Sequence, residues 1–115
     1  MNAIEIFREV CEFKIERTTE SLRESLNGDP VELFESDLSK EYRNAAEKSI
    51  YEKCLELIEQ DADLQGIAAW LTDRLLNLIR FGFDRSPLRK EELRATVRVI
   101  DEIQELIKKQ GDNHD

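Results

Sequence analysis

Histidine is almost missing from this chain of 115 residues: there is one, His114, next to the last position. No imidazole therefore serves as base for any of the six serines, and Ser-His catalysis is not expected. Glu-x-x-His, the inward-facing motif of di-iron bundles, cannot be written either. The four glycines, Gly28, Gly66, Gly82 and Gly111, are isolated, so no glycine-rich loop is available to cradle a phosphate. With two prolines as well, the chain lacks the turn residues of a β-sandwich and the repeats of collagen. No run of about 18 apolar residues exists, so no membrane partner is expected. The two cysteines, Cys11 and Cys54, lack the spacing of a metal-binding pair. Charges interrupt the opening Met-Asn-Ala-Ile-Glu-Ile-Phe-Arg-Glu, unlike the apolar stretch of a secretory signal. The expectation is a reduced, cytoplasmic protein with packed free thiols, a disulfide on oxidation being the alternative.

Charge is what the chain has in abundance. Asp, Glu, Lys and Arg make up 37% of the residues, and the net charge is −9. All of that excess sits in the first part: residues 1–63 hold 17 acidic and 8 basic side chains, whereas residues 64–115 hold 9 of each. Such a surface repels phosphate backbones, so no direct contact with nucleic acid is expected. Leu, Ile, Val and Phe nevertheless stand well above the roughly 20% below which chains stay disordered, enough for one core.

The apolar residues recur with a helical period. Ile4, Phe7, Cys11, Ile15, Thr18, Leu22 and Leu26 step by three and four, predicting a helix over 3–26 that Asn27-Gly28 stops. Ala3, Ile6, Val10 and Phe13 form a second ridge, expected to be buried at that end. Asp29-Pro30-Val31-Glu32 reads as a cap, a first-turn proline and a capping-box acid, opening a short helix over 30–36. Val31, Phe34 and Leu38 point about 140° away from the apolar set that follows, so one straight helix cannot bury both. A break near Ser36-Asp37-Leu38-Ser39 is therefore expected, with a helix over 39–60 carrying Ala46, Ile50, Cys54, Leu57 and Ile58 inward. Asp61-Ala62-Asp63 caps a helix over 62–81, whose broad face is Leu64, Ile67, Ala68, Leu71, Leu75, Leu78 and Ile79, with Gly82 as its stop. Ser86-Pro87 opens the last helix, over 87–110, with Leu93, Val97, Ile100, Ile103, Leu106 and Ile107 as its stripe.

Four long amphipathic helices joined by short connections predict an all-α, antiparallel four-helix bundle with a short extra helix across one end. Residues 1–110 form its single domain and 111–115 a disordered tail. Pairing Leu26 with Ser39 sets the register of the first two long helices, and that register puts Cys11 and Cys54 on one layer.

Two patterns fall outside the core. Glu5, Glu9, Glu12, Glu16 and Glu20 lie in one strip opposite the apolar face of the first helix. Like charges at this spacing weaken a helix slightly, so the strip does not serve helix stability. Its plain reading is a solvated face; its functional reading is an acidic ladder that covers a basic surface. The second pattern is on the third long helix, where Trp70, Arg74, Asn77 and Phe81, with Asp73 at the edge, form a stripe off the core-facing direction. Trp and Arg dominate interface energetics and stack on one another, which makes this a candidate contact surface for a protein partner or a second copy. The plain reading is a Trp buried against the next helix.

Weaker signals complete the list. Arg74, Arg80, Arg85, Arg89, Lys90, Arg94 and Arg98 form a basic stretch, with Arg94 and Arg98 spaced to pair with Asp101, Glu102 and Glu105. Arg43 and Glu47 fall inside an apolar face, four apart and able to pair. Glu9-x-x-Glu12 and Glu56-x-x-Glu59 have the spacing of helical metal-dependent hydrolases, yet both lie on outer faces. No metal, cofactor or catalytic residue is expected. The function expected is a non-catalytic adaptor module binding a protein partner. The alternatives are an acidic inhibitor acting through its Glu strip and, third, a hydrolase using the Glu pairs.

Overall fold

A helix start leaves its first amide hydrogens without partners inside the helix, and side chains placed just ahead of it take them up. The computed structural model of the chain describes residues 2–35, 38–81 and 86–112, apart from the side chains of residues 33–35, 81, 111 and 112. Asn2 accepts from the Glu5 amide at 3.0 Å and opens α1, Ala3–Leu26. Asp29 accepts from the Val31 amide at 2.9 Å ahead of α2, Pro30–Glu35. α3, Ser39–Glu59, starts after Leu38 without a side-chain cap. Asp63 accepts from the Gly66 amide at 2.7 Å and opens α4, Leu64–Phe81. Ser86 accepts from the Arg89 amide at 3.3 Å ahead of α5, Pro87–Asp112.

The helices fall where the apolar period predicts them, with small shifts that have local causes. α3 and α4 are separated at Asp61, which takes a left-handed φ of 65°. There the Asp61 amide donates to the Ile58 carbonyl and the Ala62 amide to the Leu57 carbonyl, each at 3.0 Å. That pair of bonds is a Schellman closure, with an Asp in the place usually held by Gly. α4 consequently begins two residues later than predicted, with Asp63 as cap. α5 continues through Gly111 to Asp112, two residues beyond its predicted end. The expected break at Ser36-Asp37, the stop at Gly82 and the tail from residue 113 lie outside the described residues.

The result is an all-α helical bundle in which α1 packs on α3, α3 on α5, and α5 on α4. α1 and α3 run antiparallel in the predicted register: Cys11 and Cys54 neighbour each other in the buried core, and Asn44 Nδ2 donates to Ser21 Oγ at 2.9 Å. α3 and α5 run parallel, since Glu47 pairs with Arg98 and Tyr51 with Glu102, advancing together along both helices. Phe7 and Cys11 of α1, Ile50, Tyr51 and Cys54 of α3, Ile67 and Leu71 of α4, and Val99 and Ile103 of α5 form the buried centre. Thr18 and Thr96 are also buried, and their hydroxyls donate to the Lys14 and Glu92 carbonyls, each at 2.7 Å.

Several expected core positions are outside. Of the second ridge, Ala3 is buried and Val10 packs against the core, whereas Ile6 and Phe13 are exposed, because α1 is covered chiefly along the Phe7–Cys11–Thr18 line. Leu26 and Val31 are exposed where α1 ends and α2 begins. Ile79 and Val97 are exposed as well, at the edges of α4 and α5. On α5 the buried line is Ala95, Thr96, Val99, Ile100 and Ile103. A periodic apolar face gives the direction of the core but not the width that a neighbour covers.

Candidate functional site

The turn at Gln60–Asp63 sends α4 back along α3 across a groove, with Lys53 opposite Trp70 and Ser49 and Arg74 both on the groove wall. Trp70 projects from α4 toward α3, half-buried and packed against the core. Two cations approach its ring: Lys53 Nζ is 5.6 Å from the ring centroid, and Arg74 Cζ is 5.8 Å from it. Both distances are within the range of cation–π attraction. α3 and α4 leave a groove of 440 Å³ here, with Ile50 and Trp70 in its floor and Ser49, Glu52, Lys53, Glu56 and Arg74 on its sides.

Every charge around Trp70 is held by another. Lys53 pairs with Glu56 at 3.2 Å, Glu52 with Lys48 at 3.5 Å, and Arg74 reaches across to Glu92 of α5 at 3.6 Å. Arg74 is committed only in part, because its Nε is buried and has no hydrogen-bond partner among the described residues. Of the predicted stripe, Trp70 and Arg74 come together, whereas Asp73 and Asn77 stand exposed on α4. The Phe81 side chain lies outside the described ones. Lys53 was not among the expected site residues. The hairpin register that brings it to Trp70 is the signal that identifies it.

The acidic strip is on the surface. Glu5, Glu9, Glu12, Glu16 and Glu20 are all exposed, and Glu20 pairs with Arg23 at 3.1 Å. Phe13, 59% exposed, lies among them and borders a shallow groove of 590 Å³ with Glu16, Arg17, Glu20 and Glu24. The strip is therefore not purely charged.

The basic stretch is rearranged relative to expectation. Arg94 turns back to Glu91 at 2.7 Å, and Arg98 crosses to Glu47 on α3 instead of pairing along its own helix. That contact also takes Glu47 away from Arg43. Arg74 and Arg89 share Glu92, Arg80 and Lys90 are exposed, and Arg85 lies outside the described residues.

Cys11 and Cys54 are free, buried thiols. The hydrogen bond to Cys54, then burial, push the Cys11 thiol far above its ordinary range, the opposite of what a thiolate nucleophile needs. Tyr51 is also pushed upward, first by burial and then by the Glu102 carboxylate that its hydroxyl faces. Among the described residues no group of three or more His, Cys, Asp or Glu side chains is placed to hold a metal ion. No helix among them is long and apolar enough to cross a membrane.

No protein-family model, curated protein or solved structure matches this chain.

Proposed function

We propose that this chain is a non-catalytic protein-binding or adaptor module of the cytoplasm, and that it receives its partner in the groove between α3 and α4. The observation that carries this reading is the setting of Trp70, half-buried in an open groove with Lys53 and Arg74 both within cation–π distance of its ring. A rigid aromatic held by cations offers a large contact area at little cost in side-chain entropy. The exposed part of the Arg74 guanidinium, a side chain 34% accessible, offers donors to a partner's backbone carbonyl or carboxylate. Affinity capture comparing the wild type with Trp70→Ala tests the reading, with Asn77→Ala as the exposed control on the same helix. Loss of the captured protein in Trp70→Ala alone, with helical content unchanged by circular dichroism, is the expected result. Equal capture by all three reduces the Trp70 groove to packing.

A second reading, an inhibitor that covers a basic nucleic-acid-binding surface of another protein, is favoured by the exposed Phe13 within the acidic strip. Apolar area beside charge is what a protein contact adds to simple phosphate mimicry. Reversing Glu9, Glu12 and Glu16 to Lys abolishes such binding while leaving the exposed face of α1 folded.

A further inference from the structure

One strip of α5 has a charge order that, apart from the pairing of Arg94 with Glu91, serves neither its own helix nor the bundle. Lys90, Arg94, Val97, Asp101 and Glu105 are spaced by four, three, four and four, so they share one face. All five are exposed, Val97 by 44%. The strip reads as two cations, an apolar centre and two anions. Within a single helix this order is unfavourable. Lys90 with Arg94, and Asp101 with Glu105, are like charges one turn apart. The first turn of α5 carries no acid, and Lys90 stands near the helix N-terminus, where the dipole favours an anion. Among the described residues Lys90, Asp101 and Glu105 take part in no ion pair.

The order becomes favourable against a second copy of itself. When two α5 helices lie antiparallel about a two-fold axis near Val97, position 90 faces 105 of the other copy and position 94 faces 101. Each cation then meets an anion, and the two Val97 side chains meet near the axis. An isologous contact requires this self-complementarity, and a random arrangement of charges does not provide it. None of the strip residues lines the Trp70 groove, so the contact leaves that groove open.

We infer that the outer face of α5, centred on Val97, is a two-fold dimerisation surface whose occupant is a second, antiparallel copy of this chain. The inference is independent of the Trp70 reading. Light scattering across protein concentration tests it, with a dimer of twice 13.5 kDa as the expected mass. The dimer weakens as salt rises, because its rim pairs are solvent-exposed. Val97→Glu gives a monomer. Lys90→Glu or Glu105→Lys alone puts two like-charge pairs into the dimer and raises its dissociation constant about tenfold. The combined Lys90→Glu/Glu105→Lys swap restores the wild-type constant. Both residues are exposed and free of ion pairs among the described residues, so the swap leaves the fold intact, as circular dichroism verifies. A wild-type monomer at the highest soluble concentration overturns the inference. So does a dimer indifferent to Val97→Glu, or a swap that dissociates as readily as the single variants.

Discussion

Tyr51 on α3 directs its hydroxyl at both oxygens of the Glu102 carboxylate on α5, 2.9 Å from each. The tyrosine is only 1% exposed, so its O–H has no water to turn to and the carboxylate is its acceptor. One turn earlier Glu47 meets Arg98 across the same interface. Two polar contacts at matching steps set how far α5 is slid along α3, which apolar packing alone leaves loosely specified.

Tyr51→Phe keeps the ring and removes the donor to Glu102. The expected loss is about 1–2 kcal/mol, since a hydrogen bond to a charged acceptor disappears and the carboxylate stays partly desolvated. Urea unfolding checks this as a lower midpoint with an unchanged slope.

Alkaline pH weakens the fold through two groups. Cys11 and Tyr51 ordinarily ionise near 9.0 and 10.0, and both are held protonated well above those values in the folded state. Below pH 9 both states carry the proton and neither group affects stability. Above that, the unfolded chain releases protons that the folded one keeps, so stability falls with rising pH. Unfolding midpoints from pH 8 to 11 should decline, and Cys11→Ala with Tyr51→Phe should flatten the decline.

The native thiols resist modification. Both cysteines are buried and Cys11 is held protonated, so a thiol reagent such as Ellman's reacts only with molecules that have opened. Two equivalents react at once in denaturant. In native buffer the rate follows unfolding and saturates with reagent concentration. A fast, second-order reaction of the native protein contradicts the buried pair.

Asp61→Gly stabilises the chain. Asp61 holds a left-handed φ of 65°, which costs an L-residue free energy that Gly does not incur. Both closure bonds at this turn are made by backbone amides and survive the change. A gain of about 0.5–1 kcal/mol is expected as a higher melting temperature.

Helix positions and the α1–α3 register were legible in sequence because period, caps and short connections are local properties. Cys11 with Cys54 and Ser21 with Asn44 follow from where the chain turns back. The direction of Trp70 was legible too, since helix phase sets it off the Ile67–Leu71 line. What surrounds Trp70 was not. Lys53 is one of several charged residues along α3 and becomes its neighbour only through the hairpin at Asp61. The parallel contact of α3 with α5 was equally hidden, because it joins helices that a third one separates in sequence. Glu47 carried the one hint, as an acid inside an apolar face. Ile6 and Phe13 show the opposite failure, the part of an apolar ridge that no neighbour covers.

The parallel pairing of α3 with α5 also has a bearing on synthesis. α1 can lie down on α3 once residue 59 has been made, but the acceptor for Tyr51 and the cation for Glu47 each come 51 residues later in the chain. Until then one side of α3 carries a bare tyrosine and an unneutralised acid between apolar neighbours, with α4 turned back beside it. The nascent chain thus holds a half-finished core through much of its translation, and arrests or truncations within α5 should trap a species that chaperones recognise.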